Sequence, residues 1–260
     1  MKSLVKTNQE VRDEGRWDLD YHLPPEGILI YPQNRLIPVS TLADVSTMTY
    51  DPSQRPDDSF LYVDISSVDV SSGTIANPQE LTGAEAPSRA RMLIRAFDVI
   101  VSTCRPTRGA IAVVPAELDS QVCSTGFCVL RCKRGVNPFY LQFVLRAPST
   151  LEQFRKFSTG SSYPAILAAD VLATRVPNAS PDEQNAIAKC IVAALKEREL
   201  LLLQAKQKID SASEAALGLL CQQMGSPISL SCPTDLTDVA TLAEIDAVRP
   251  QRSPSTLRLL

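Results

Sequence analysis

The strongest constraint on this chain is an uninterrupted helical run near its end, from Ser180 to Met224. The run contains no Pro after Pro181 and a single Gly, and Ser180 and Glu183 form a capping box around a Pro at the first helical position. At about 1.5 Å per residue, such a helix is roughly 66 Å long. Globular helices average about 11–12 residues, so the run predicts a rod attached to a compact domain.

Apolar residues recur along this run at alternating steps of three and four, and Arg198 is the one polar exception among the ten positions. A period near 3.5 keeps one seam facing a partner along a left-handed supercoil. We therefore predict a coiled coil with another helix, and a long helix packed on its own domain is the alternative. The predicted interface residues are Ile191, Leu195, Leu202, Ala205, Ile209, Ala212, Ala216 and Leu219.

Charge is distributed unevenly along the 260 residues, whose net charge is −3. Residues 1–80 carry 6 basic and 13 acidic side chains, whereas residues 81–160 carry 11 basic and 5 acidic ones. A basic segment inside an acidic protein is typical of nucleic-acid binding. A solvated surface with chance clustering is the alternative.

Three polar loops carry the candidate nucleic-acid contacts. Arg and hydroxyl side chains are the usual donors to phosphates and base edges, although each loop is also compatible with an ordinary polar turn. Aromatic residues make up only 5% of the chain, which disfavours a stacking platform for single strands and favours duplex DNA. The candidates are Ser88, Arg89 and Arg91 in the first loop, Arg105, Thr107 and Arg108 in the second, and Ser161, Ser162 and Tyr163 in the third.

No catalytic or metal-binding pattern stands out. The tetrapeptide Asn137–Tyr140 resembles the Asn-Pro-Pro-Tyr motif of amino-methyltransferases but lacks the second Pro, and the chain has no Gly-x-Gly pair, so we interpret Asn137 as a helix N-cap. Cys123, Cys128 and Cys132 do not have the usual spacing of zinc ligands, and we predict buried thiols. A membrane helix and an apolar signal core are missing from the sequence, so we expect a cytoplasmic protein.

Hydrophobic patterning predicts an α+β fold, in which a mixed domain of strands and helices precedes one long coiled-coil helix. Strands are predicted in 60–70, 92–101, 110–114 and 121–131, helices in 138–147 and 149–157, and a strand-like segment in 170–177. The predicted organisation is a DNA-binding domain over 1–178, the spacer helix over 179–224 and a flexible Pro/Ser-rich tail over 225–260.

Seven phrases of this sequence resemble the specificity subunit of type I restriction–modification systems. They occur in the order of that family and span residues 16–187, so the match is specific. The phrases are RWDLDYH (16–22), YVDISSVD (62–69), APSRAR (86–91), FDVIVSTCRPTRGAIAVV (97–114), STGFCVLRCKRGVNPFYL (124–141), TGSSYPAI (159–166) and DVLATRVPNASPDEQNAI (170–187).

The resemblance implies a target recognition domain that reads double-stranded DNA and a long helix that acts as a coiled-coil spacer. It implies a non-catalytic subunit without a cofactor. Such a subunit positions a methyltransferase subunit and, through it, a restriction subunit, in a complex that is a DNA adenine methyltransferase and endonuclease. The alternative is an interaction or decoy protein that binds the methyltransferase subunit through the long helix without reading DNA.

The sequence departs from the family pattern in three places. The family usually has two recognition domains and two long helices, whereas this chain has one of each, which implies a half-subunit that forms a homodimer or pairs with another half. Phe97 stands where the family commonly has Gly, so we expect a different turn there. The usual Pro-Pro before the long helix is replaced by PNASP (177–181).

Overall fold

The computed structural model describes residues 7–15, 19–23, 27–160 and 162–224. Its packing divides the chain between Leu195 and Lys196 into two units. The predicted tail, 225–260, lies outside the described residues, and so does the candidate Ser161. Every described strand belongs to the first unit.

Short strands alternate with short helices in the first unit. The strands are β1 (Leu36–Pro38), β2 (Ala43–Val45), β3 (Ser59–Val63), β4 (Val68–Asp69), β5 (Thr74–Ile75), β6 (Gln79–Thr82), β7 (Ala90–Leu93), β8 (Val99–Ser102), β9 (Ile111–Val113), β10 (Val122–Ser124), β11 (Phe127–Cys132) and β12 (Arg175–Pro177). The α-helices are α1 (Asn8–Glu14), α2 (Leu19–His22), α3 (Pro138–Arg146), α4 (Pro148–Phe157), α5 (Ala168–Ala173) and the long α6 (Pro181–Met224).

Two four-stranded sheets frame the first unit. One has the order β2-β11-β8-β9 and is antiparallel throughout. The other has the order β6-β3-β10-β7, and in it β3 and β10 run parallel. Because β7 and β8 lie in different sheets, as do β10 and β11, the chain crosses from one sheet to the other at both connections.

These crossings correct the prediction of single strands over 92–101 and 121–131, because each run is split between the two sheets. The prediction of one strand over 60–70 is wrong as well, since the 3-10 turn Ile65–Ser67 separates β3 from β4 and the two lie in different sheets. Between β7 and β8 the chain turns at Phe97, whose φ is 67°, and Asp98 Oδ2 accepts a hydrogen bond from Arg95 N at 3.0 Å. The buried Asp98 carboxylate also accepts two hydrogen bonds from the Arg131 guanidinium, at 3.0 and 2.8 Å. The break therefore places a buried carboxylate against a cation of a distant strand.

The antiparallel sheet has an apolar layer on each face. Val99 and Val101 of β8 pack into the layer formed with α3 and α4, where Tyr140 and Phe154 are fully buried. Ile100 of the same strand packs into the opposite layer. Alternate side chains of a strand point to opposite faces, so a continuous apolar sequence is what a strand covered on both sides requires.

The predicted helix starts are confirmed, and one predicted strand is wrong in part. Asn137 caps α3, since its Oδ1 accepts a hydrogen bond from Phe139 N at 3.0 Å. The strand-like segment 170–177 is helical up to Ala173, and only β12 pairs with β1. Asp170 Oδ2 accepts a hydrogen bond from Leu167 N at 2.7 Å, a capping contact that favours helix over strand at this point.

The base of α6, residues 181–195, belongs to the first unit. The predicted capping box is present, because Ser180 N donates to Glu183 Oε2 at 2.7 Å and Glu183 N donates to Ser180 Oγ at 3.3 Å. Gln184 Oε1 accepts from Asn137 N at 3.0 Å, and Ala188 is buried. Packing on its own domain, the alternative to a coiled coil, therefore describes these first turns.

The second unit contains the rest of α6. Its described side chains from Lys196 to Leu219 are exposed, including the four leucines at 200–203. The predicted seam residues Leu202, Ala205 and Ile209 thus have no covering layer among the described residues of this chain. The predicted α+β domain followed by one long helix is confirmed. Within the described part of the chain, no helix combines the length and hydropathy that crossing a membrane needs.

Candidate nucleic-acid interface

The second candidate loop, 104–109, is an ordered turn. Pro106–Arg108 forms one turn of 3-10 helix after β8, and the backbone is left-handed on both sides of it, with φ of 48° at Arg105 and 70° at Gly109. Gly109 adopts this conformation without a steric penalty, whereas Arg105 adopts it as a residue with a Cβ. Thr107 and Arg108 are exposed on the turn, so this loop presents its candidate side chains to solvent from a defined backbone.

The third candidate loop is bonded to this turn. Arg105 N donates to Pro164 O at 2.7 Å, and Ile166 N donates to Thr103 O at 3.0 Å. The guanidinium carbon of Arg105 lies 4.9 Å from the centroid of the Tyr163 ring, which is a cation–π contact. Two candidates from separate parts of the sequence are therefore neighbours in the fold.

The first candidate loop lies at the start of β7. Ser88 and Arg89 are exposed there, and Arg89 O accepts a hydrogen bond from Thr125 N at 2.9 Å. This bond ties the loop to the connection between β10 and β11. Ser162, in the third loop, is exposed as well.

A cleft of about 530 Å³ joins two of the three loops. Arg89, Arg105 and Arg108 line it together, so guanidinium groups from separate loops converge on one concave surface. Concave surfaces lined by like charges concentrate the electrostatic field and attract ligands of opposite charge. Arginine also offers the planar fork of donors that matches phosphates and guanine edges. The cleft therefore suits an anionic ligand with hydrogen-bond acceptors.

Residues that the sequence reasoning did not single out also line the cleft, among them Tyr62 and Ser124. Tyr62 is 4% exposed on β3, and Ser124 lies on the parallel neighbour β10. Burial raises the pKa of the Tyr62 phenol above its usual value, although the Ser124 side chain opposes this shift. The available signal was the phrase 62–69, in which polar side chains follow a buried strand.

Asp64 adds a fixed carboxylate to the cleft. It caps the 3-10 turn Ile65–Ser67, and its Oδ1 accepts from Ser66 Oγ at 2.7 Å, from Ser67 N at 3.0 Å and from Ser67 Oγ at 3.1 Å. Because these bonds hold one oxygen, the orientation of the whole carboxylate is fixed. The cleft thus combines several cationic donors with one oriented acceptor.

The hairpin β4–β5, next to the cleft, is clamped onto α3. Arg146 Nη1 donates to Ser72 O at 2.9 Å, and Gln142 Nε2 donates to Gly73 O at 2.6 Å. Gly73 has a φ of 75°, a left-handed conformation that favours glycine, and a Cβ at this position would displace the Gln142 amide nitrogen, which would lie 2.5 Å away. Val70 follows β4 directly and lines the cleft, and its carbonyl oxygen accepts a hydrogen bond from Arg146 Nη2 at 2.5 Å.

Arg91 lies apart from the residues that line the cleft. It is on β7, its Nη1 donates to Ala90 O at 3.1 Å, and the same atom lies 3.6 Å from Asp51 Oδ1. The nearby carboxylate offsets the charge of this guanidinium. A DNA contact by Arg91 stays a prediction that the cleft does not support.

The three clustered cysteines are thiols of the sheet layers. Cys123 and Cys128 are buried and Cys132 is partly buried. Burial raises the pKa of each of these thiols to about 12, which disfavours the thiolate form that metals bind. Among the described residues, no group of three or more His, Cys, Asp or Glu side chains is arranged to hold a metal ion.

Comparison with known proteins gives one consistent group of structural neighbours. No protein-family model and no curated protein matches the chain. The chain is 38% identical to the HsdS subunit from Thermoanaerobacter tengcongensis, covering 68% of this chain and 46% of that one with a TM-score of 0.58. It is also 35% identical to a protein in a structure that describes the complex assembly and conformational transition of the type I R-M system. This match covers 78% of the present chain and 51% of the other chain, with a TM-score of 0.57.

The architecture defines the class first: an α+β domain with an arginine-lined cleft, followed by a single long helix. The matches then define the family. The chain belongs to the HsdS specificity subunits of type I restriction–modification systems, as the sequence resemblance implies. It spans about half the length of the relatives that it matches.

Proposed function

We propose that this chain is a half-length DNA-recognition subunit of a type I restriction–modification complex. The observation that carries the proposal is the convergence of Arg89, Arg105 and Arg108 on one cleft from two separate loops. Their backbones are fixed by hydrogen bonds between the loops and the sheets. A fixed loop backbone reduces the conformational freedom that is lost on binding, which favours a specific ligand over diffuse attraction.

Duplex DNA is the ligand that fits this chemistry. Some of the arginines would contact phosphates and others guanine edges, and the exposed hydroxyls of Ser88, Thr107 and Ser162 would fix the register through phosphate contacts. Tyr163 supports Arg105 through the cation–π contact. In this proposal, recognition belongs to the first unit.

The exposed part of α6 is assigned to assembly. Its leucines and Ile209 would pair with a second long helix, from an identical chain or from another half-subunit, and would engage the methyltransferase subunit. The restriction subunit would join through the complex. The chain itself would catalyse nothing, as expected of a specificity subunit.

Binding to duplex DNA at several salt concentrations tests the proposal. We expect affinity to fall linearly with salt on a log–log scale, and Arg108→Ala to reduce the slope by about 1 if its guanidinium meets a phosphate. Arg55→Ala is the matched control, because this exposed arginine pairs with Asp58 and does not line the cleft.

The same assay separates this function from the decoy alternative. A decoy would co-purify with the methyltransferase subunit and would show no preference among duplex sequences. Absence of duplex binding by the chain, both alone and with that subunit, would contradict the proposal.

A further inference from the structure

The cleft contains a carboxylate where a purely phosphate-binding surface would have none. Asp64 and Ser66 line it together with Arg89, Arg105 and Arg108. A fixed negative charge repels phosphate, so Asp64 is unfavourable for backbone binding alone. Its capping bonds all fall on Oδ1, and in the described part of the chain Oδ2 accepts no hydrogen bond. The cleft therefore keeps one oriented acceptor among its donors.

One guanidinium in the cleft is oriented as well. Arg105 has a defined backbone, and its guanidinium lies over the Tyr163 ring. The contact with the ring restricts the positions of this guanidinium, and the planar fork of an arginine can form two parallel hydrogen bonds. Arg89 and Arg108 are both more exposed than Arg105 and suit phosphate contacts better.

The edges of base pairs differ in the pattern that they offer to such a site. In the major groove, guanine presents two acceptors, N7 and O6, and its paired cytosine presents the N4 amino donor. A pair of protein donors beside one acceptor is the complement of this pattern. An A·T pair instead alternates acceptor, donor and acceptor and ends in a methyl group, so it leaves one of the two guanidinium donors without a partner.

We infer that this cleft reads a guanine–cytosine base pair, with Arg105 donating to guanine O6 and N7 and Asp64 accepting from cytosine N4. Ser66 Oγ donates to Asp64 and holds its carboxylate for this contact. The inference rests on the proposed DNA-binding function and adds the identity of one base pair and the residues that select it. Asp64 was not among the candidates that the sequence indicated.

Selection of binding sites from a random duplex pool tests the inference with the full-length chain and Asp64→Asn. Asn caps turns as well as Asp does, so folding is retained. With its Oδ1 still in the cap, Asn presents an amide donor in place of Oδ2, which cannot accept from cytosine N4 but can donate to thymine O4 of an A·T pair. We expect wild type to enrich a site with one fixed G·C pair, and Asp64→Asn to lose at least tenfold of that preference and to admit adenine. Asp51→Asn is the matched control, because Asp51 caps another 3-10 turn, accepting from Ser53 N at 3.2 Å, and does not line the cleft.

Arg105→Lys is an independent test of the same base pair, since Lys lacks the planar fork of donors. We expect this variant to lose discrimination at the same base pair that Asp64→Asn changes. If wild type enriches a site and both variants keep it unaltered, or if they alter different positions, the inference is wrong and the DNA-binding function stands. If wild type enriches no sequence, the proposed function itself fails.

Discussion

The two parts of α6 carry one apolar seam in two different surroundings. In the base of the helix, Gln184 and Ala188 are 4% and 3% exposed, and Ile187 packs against the main core. In the part that begins at Lys196, Ile209 and Leu219 are 67% and 63% exposed. A stretch of helix that packs on its own domain and a stretch whose apolar side chains are exposed can therefore share one sequence pattern, and only burial distinguishes them.

This difference assigns separate sources of stability to the two parts. The base contributes to the fold of the first unit, because its apolar side chains are already removed from water. The second part gains little from its leucines until another surface covers them, since exposed apolar side chains contribute no burial. The same kind of mutation should therefore lower the folding stability when it is placed in the base, and weaken association with a partner when it is placed in the second part.

The largest expected effect follows from placing a charge in the buried base. Ala188→Asp should lower the free energy of unfolding by about 3 kcal/mol, because the carboxylate loses its hydration without gaining a partner. Urea unfolding followed by circular dichroism measures this loss. Ala193→Asp is the matched control at an exposed position of the same helix, and equal losses in both variants would contradict the account.

A charge in the exposed seam should act on association instead. Ile209→Asp should weaken pairing of the chain at least tenfold, about 1.4 kcal/mol, and should change the unfolding free energy of the first unit by less than about 0.5 kcal/mol. Sedimentation over a concentration series gives the association constant. Gln207→Asp, which adds the same charge off the seam, should leave association nearly unchanged. An association constant that is unaltered in Ile209→Asp would show that this seam is not part of the interface.

The smallest expected effect concerns the turn at Phe97 in the first unit. Phe97 has a φ of 67° and is 53% exposed. Glycine adopts this conformation without a steric penalty, so Phe97→Gly should raise the melting temperature, corresponding to a gain of about 0.5–1 kcal/mol. Phe97→Ala keeps the left-handed backbone and should give no gain. A lower stability of the glycine variant would show that ring contacts outweigh the strain.

Local signals predicted the parts of the structure that local forces determine. The cap of α6 and the N-cap Asn137 depend on residues within one turn, and both are confirmed. The split of 92–101 was not predictable from apolar periodicity, because the Asp98 carboxylate at that turn pairs with the distant Arg131. The split of 121–131 falls between β10 and β11, where Gly126 N donates to Ser124 Oγ at 3.1 Å.

The residues of the cleft were likewise predictable only in part. Arg and hydroxyl residues in polar loops indicated Arg89, Arg105 and Arg108 as candidates, and the fold brings them together. Asp64 was not predicted as a site residue, because its neighbours in the sequence are those of an ordinary turn cap. Its position in the cleft depends on the pairing of β3 with β10. Arg91 looked equivalent to Arg89 in the sequence, yet it lies near Asp51.

The most direct test of the division between reading and assembly compares the DNA sites selected by wild type and by Ile209→Asp from one random duplex pool. If the first unit reads DNA and α6 pairs two copies, wild type should enrich two inverted copies of a short sequence at a fixed spacing. Ile209→Asp should enrich a single copy of the same sequence. A changed sequence in the variant, or a single unrepeated site with wild type, would contradict the account.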